Sequence, residues 1–116
     1  AGLLKGKRAG SHWAYREMLS LFGAIPDPAR VVRDGHCITG GGVTAGIDIA
    51  LTIAAEIAGE EAAKRIQLMV EYAPAPPFEC GRPEIADPEI VAAVKRGIEA
   101  NTQARRQAMQ TLSEKS

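Results

Sequence analysis

Net charge is the first thing this chain lacks. Fourteen Lys and Arg residues balance fourteen Asp and Glu residues among 116. A chain without a basic excess is a poor match for nucleic acid or an anionic membrane surface. Long hydrophobic runs are also missing. The longest apolar stretch, Ile49 to Ala55, is broken by Thr52 and is too short to span a bilayer. No basic, apolar, small-residue signal pattern opens the sequence, so a cytoplasmic setting is expected. The two cysteines, Cys37 and Cys80, make no disulfide framework. Together with His12 and His36 they show no zinc-ligand spacing, and no metal site is expected. No residue is a convincing nucleophile. Internal repeats are absent too.

What is present is a glycine-rich segment. Gly40-Gly41-Gly42-Val43-Thr44-Ala45-Gly46-Ile47-Asp48 follows a short apolar run and precedes a long apolar one. Glycine lets backbone approach backbone, or a ligand, where a Cβ would clash. A strand, a glycine-rich turn and a buried helix are how α/β proteins present backbone N–H groups at a crevice. The free N–H groups at the helix start could meet an anion or a developing negative charge. Close helix–strand packing explains the glycines equally well. There is no Gly-Lys-Ser/Thr ending and no G-x-G-x-x-G pattern, so a nucleotide loop does not fit.

The pattern elsewhere predicts alternating strands and helices, hence an α/β fold with a largely parallel sheet. Lys7 to Ser11 reads as a short strand. Trp13 to Phe22 reads as a helix, with Tyr15, Met18, Leu19 and Phe22 at helical spacing and Gly23 at its end. Val31 to Ile38 reads as a hairpin with Asp34-Gly35 as its turn signal. A helix from Thr44 to Ala58 carries one polar stripe: Thr44, Asp48, Thr52 and Glu56. Such a helix is buried on most of its circumference. Glu60 to Tyr72 is a further helix, Ala73 to Ile85 a proline-rich loop, and Asp87-Pro88-Glu89 a helix start. Residues 101–116 read as a helical or frayed tail. Only three short strands are evident, too few to cover the Thr44 to Ala58 helix. Partner strands are expected to precede Ala1, where Ala1 to Gly6 reads as the last turn of a helix.

Candidate chemistry is sparse. His12, in Gly10-Ser11-His12-Trp13, stands between a strand and a helix, where it could serve as base or orienting donor. A partly buried structural histidine is the plainer reading. Ser11 cannot pair with it, because adjacent strand residues point to opposite faces. Cys37 reads as a mid-strand core residue, and Cys80 as an exposed loop thiol.

These residues resemble a known family. Ala1-Gly2-Leu3-Leu4-Lys5-Gly6-Lys7-Arg8-Ala9, Ser11-His12-Trp13, Asp34-Gly35, Ile38 to Asp48, Glu71-Tyr72 and Pro74-Ala75-Pro76-Pro77-Phe78 look like the C-terminal half of an isonitrile hydratase. That family belongs to the ThiJ/PfpI superfamily, and the resemblance covers residues 1–116 as part of one domain, thinning after about Ala100. It implies a flavodoxin-like three-layer α/β sandwich, related to class I glutamine amidotransferases, and a homodimer or a complementing N-terminal half. It implies cofactor-free hydration of an isonitrile to an N-substituted formamide by a cysteine that precedes this chain. His12 matches the family histidine near that nucleophile. Gly41, Gly42, Val43 and Thr44 match the loop beside the active site. Gly10-Ser11 replaces the usual Thr-Thr, and Cys80-Gly81 the usual Ala-Gly. The alternative is a non-catalytic, ligand-sensing and dimerising half, as in AraC-type regulators. Arg105-Arg106-Gln107-Ala108 is too short for the helix-turn-helix such a regulator needs.

Overall fold

Two short strand pairs and three α-helices make up the computed structural model, which describes residues 1–115. Strand β1 (Arg8–Ala9) pairs in parallel with β2 (Ile25–Pro26), joined by a 3-10 helix over Arg16–Phe22. Strand β3 (Val31–Asp34) pairs antiparallel with β4 (Cys37–Gly40). The expected α/β class holds, but only β1 and β2 are parallel, and there are four strands rather than three. The short chain segments between β2, β3 and β4 leave no room for a helical crossover.

The hairpin register differs by one residue from the sequence expectation. Asp34 pairs with Cys37, so Gly35 and His36 form the turn. Gly35 takes φ +60°, which suits the first central position of a type II′ turn. Asp34 is thereby free to accept the Arg8 backbone N–H at 2.8 Å, tying β1 to the hairpin. Cys37 consequently opens β4 instead of sitting mid-strand. It is half-buried, with Sγ 3.8 Å from the Leu3 carbonyl. The predicted helix over Trp13 to Phe22 begins with a turn and becomes 3-10 from Arg16. Gly23 closes it at φ +75°, its N–H reaching the carbonyls of Leu19 and Ser20. Met18 on this segment is the large residue of the small core, which also holds Ala9, Ala24, Val32, Ala45 and Ala63.

Helix α1 (Ala45–Ala58) follows the glycine loop, and α2 (Glu60–Met69) folds back along it after Gly59. Ion pairs Lys64–Glu60 and Arg65–Glu61 run in the order the helix dipole favours. Helix α2 stops at Met69, short of the expected Tyr72. Glu71 adopts φ +53°, which ends the helix and turns Tyr72 back toward α1. Helix α3 (Pro88–Glu114) starts at the N-cap Asp87 with Pro88 in its first turn. It lies against the 3-10 segment, with the Arg105 guanidinium 4.5 Å from the Tyr15 ring centre. Gly97 sits in α3 with open space where a Cβ would go. Gly97→Ala is expected to raise stability by about 0.5–1 kcal/mol, read as a higher melting temperature.

Helix α1 is not buried around most of its circumference. Its polar stripe lies beside β3, where Asp48 pairs with Arg30 and Glu56 with Arg33. Ile47, Ile53 and Ile57 on its other sides are exposed. An apolar groove of about 650 Å³ runs between α1 and α2, walled by Ile47, Leu51, Ile66 and Val70. The accessible surface is 8443 Å², where a compact monomer of 12.3 kDa has roughly 6100 Å². The Cα radius of gyration, 16.4 Å, likewise exceeds the roughly 13 Å expected for this length. The molecule is a slab 18 Å thick with one apolar face open.

Candidate active-site loop

Gly40 determines how closely helix and hairpin approach. A Cβ there would lie 2.3 Å from Ile49 Cδ1 and 2.9 Å from the Arg30 carbonyl oxygen. The glycine therefore lets α1 lie directly on the end of β4. Gly41 donates its N–H to that same carbonyl at 2.9 Å, and the Gly42 carbonyl accepts the Ala45 N–H at 2.9 Å. The loop is thus fixed by backbone bonds before α1 begins. Gly42 also faces His12, whose Cδ2 would be 3.1 Å from a Cβ at that position. Here the glycine makes room for an imidazole.

His12 follows β1 and is half-buried. Its Nδ1 accepts the Ala14 N–H at 3.2 Å, which leaves Nε2 as the protonated nitrogen of the neutral ring. Trp13 and Tyr15 flank it, with ring centres 5.4 and 5.5 Å away. Among the residues singled out from sequence, the structure brings His12 and Gly42 together, with Gly41 adjoining. Val43 is 96% exposed, away from His12. Thr44 is exposed as well, and its hydroxyl accepts from Arg30 Nη2 at 3.3 Å. Cys37 and Cys80 are both half-buried. Among the described residues no cluster of three metal-ligating side chains occurs.

Sequence reasoning missed a set of polar contacts behind the loop. Arg30 clamps the loop twice: its carbonyl takes the Gly41 N–H, and its guanidinium reaches Asp48 and Thr44. Asp48 also accepts the Tyr72 hydroxyl proton at 2.7 Å. That bond, helped by the Arg30 guanidinium, holds the Asp48 carboxyl below its usual range against the opposing effect of burial. The same pairing raises the Arg30 pKa further above its ordinary value. An acid in the first turn of an otherwise apolar helix was the one sequence signal pointing here.

Tyr72→Phe removes one of these contacts with little change of shape. A loss of about 1–2 kcal/mol is expected, since the lost bond is to a charged acceptor. Asp48 has a depressed folded-state pKa, so its contribution is present above the unfolded value near 3.8 and disappears as pH falls below it. The Tyr72→Phe substitution should therefore cost most at neutral pH and progressively less below about pH 4. Thermal melts from acid to neutral pH, taken in parallel for both proteins, check this.

A ThiJ/PfpI family protein from Pseudomonas syringae, known from its crystal structure, superposes with a TM-score of 0.88 at 45% identity, over 94% of this chain. The chain carries part of a ThiJ/PfpI fold. Its class is the flavodoxin-like, class I glutamine amidotransferase-like α/β class expected from sequence. A curated relative, the isonitrile hydratase of Pseudomonas putida, is 58% identical over 91 residues, or 78% of this chain. The chain spans 40% of that relative's length and 45% of the Pseudomonas syringae protein. No family model matches the chain. No described helix is long and apolar enough to cross a membrane.

Proposed function

We propose that this chain supplies the C-terminal part of a cofactor-free, cysteine-dependent hydratase that converts isonitriles to N-substituted formamides. The observation that carries this reading is the 58% identity to an isonitrile hydratase over 91 residues, most of the chain. The nucleophile lies outside these 116 residues, because neither Cys37 nor Cys80 has the setting of a reactive thiolate. Cys37 opens a strand and faces the Leu3 carbonyl, and Cys80 lies in a proline-rich loop; neither stands at a helix N-terminus.

In this reading a thiolate attacks the terminal carbon of R–N≡C while an acid delivers a proton to that carbon. The product is a thioimidate, R–N=CH–S–Cys. Water adds to its carbon, nitrogen takes up a proton, and the C–S bond breaks to return the thiolate. The balance is R–NC plus water giving R–NH–CHO. His12 acts in support, its ring oriented by the Ala14 N–H that Nδ1 accepts. Gly41 and Gly42 form the wall beside the reacting group, and Val43 and Thr44 carry the loop into α1. The remaining part of the fold comes from a complementing N-terminal portion, and a homodimer covers the rest of the apolar face.

In the assembled hydratase the nucleophilic cysteine sits on a strand–helix elbow of the N-terminal portion, and replacing this elbow cysteine with alanine should abolish formamide production. Cys37→Ser and Cys80→Ser should retain it. Full activity in the elbow variant would remove the mechanism.

A further inference from the structure

A second cavity borders the glycine loop at Gly41 and Gly42. Its volume is about 380 Å³, and Ser11, Trp13, Arg16, Arg30, Arg82 and Glu84 line it. Three guanidinium-bearing residues thus converge on one hollow. They come from three separated segments: the 3-10 helix, the entry to β3 and the proline-rich loop. Such convergence has no counterpart among the other cavities of this charge-balanced chain.

The three are not equivalent. Arg30 is already held by Asp48 and Thr44. Neither Arg16 nor Arg82 has a side-chain hydrogen bond or ion pair among the described residues, and Glu84 at the rim pairs with neither. Arg16 is half-buried and Arg82 exposed. The cavity also has apolar walls, supplied by Trp13, Pro28 and Pro83. Guanidinium groups match a carboxylate through paired, parallel N–H···O bonds, and flat apolar walls favour an organic body over a bare inorganic anion. Ser11, Gly41 and Gly42 complete the lining.

We propose that this cavity binds a small organic carboxylate, its head between Arg16 and Arg82 and its apolar body against Trp13 and the two prolines. The proposal does not depend on the hydratase chemistry, since it concerns recognition of a charged group that an isonitrile lacks.

Calorimetric titration of the purified protein with benzoate, the isosteric neutral benzamide, and inorganic phosphate tests it. Benzoate should bind at least about tenfold more tightly than benzamide or phosphate, the usual margin for a charge-assisted pair. Arg16→Gln and Arg82→Gln should each weaken benzoate by about tenfold or more. Arg65→Gln, on α2 and away from the cavity, should leave it unchanged. Arg82 is exposed, so its variant reports on binding even if Arg16→Gln disturbs the fold. The proposal is overturned if benzoate does not bind, if benzamide matches it, if phosphate binds more tightly, or if Arg82→Gln keeps full affinity.

Discussion

Gly40→Ala should lower stability by about 3 kcal/mol, the upper end of what overpacking costs. On a chain of this size that is a fall of at least about 10 °C in melting temperature. The reason is the crowding at one point. A methyl group at position 40 would meet Ile49 Cδ1 at 2.3 Å, Ile49 Cγ1 at 2.9 Å and the Arg30 carbonyl oxygen at 2.9 Å. Ile49 can change rotamer, but the carbonyl is fixed by the Gly41 N–H it accepts. Relief must therefore come from shifting α1 off β4, which also moves the loop that faces His12. Adding Ile49→Ala removes one of the two obstacles. The double variant should be less unstable than the sum of the singles by at least about 1 kcal/mol. A Gly40→Ala protein that melts together with the parent would mean that helix and hairpin do not pack as described.

Ile47→Asp should prevent assembly while sparing the local helix. Ile47 is 48% exposed on the open face of α1, walling the groove shared with α2. An acid in the first turn of a helix is favourable in itself, so the chain alone has little reason to lose that turn. A covering polypeptide would instead have to bury an unpaired carboxylate, at a cost of several kcal/mol. The accessible surface exceeds that of a compact monomer by roughly 2300 Å². That is more than the roughly 800 Å² each partner gives to an ordinary complex, and it matches the interior of a larger fold or an obligate interface. Sedimentation velocity should show the parent protein in complexes at micromolar concentration and the Ile47→Asp variant dissociated. A parent that is monomeric and still unfolds cooperatively would show that 116 residues with this small a core suffice.

The parts of the fold legible in the sequence were those with local causes. Asp87-Pro88 marked the start of α3, Gly59 separated α1 from α2, and Gly23 ended the 3-10 segment, each through backbone conformation. The hairpin was legible, but its register was not, because Asp34-Gly35 and Gly35-His36 both contain the glycine a tight turn needs. Pairing of Asp34 with the Arg8 backbone, 26 residues away, decided between them. The early end of α2 had the same kind of cause, since Tyr72 turns toward Asp48, 24 residues before it.

The candidate site divides along the same line. The glycine loop announced itself by composition, and His12 by its place after a strand. The clamp of Arg30, Asp48 and Tyr72 did not, because each residue alone reads as an ordinary surface or cap residue. The gathering of Arg16, Arg30 and Arg82 around one cavity is likewise a product of long-range chain folding, invisible to any local pattern.

The most direct test is formamide production from an alkyl isonitrile, measured for the 116-residue chain alone and after mixing with a polypeptide that carries the rest of a ThiJ/PfpI fold, including its elbow cysteine. The chain alone should give no product, and the mixture should give product in proportion to the complex formed. Turnover by the chain alone, or none from a stable complex, would contradict the assignment of this chain as the part of a hydratase that lacks the nucleophile.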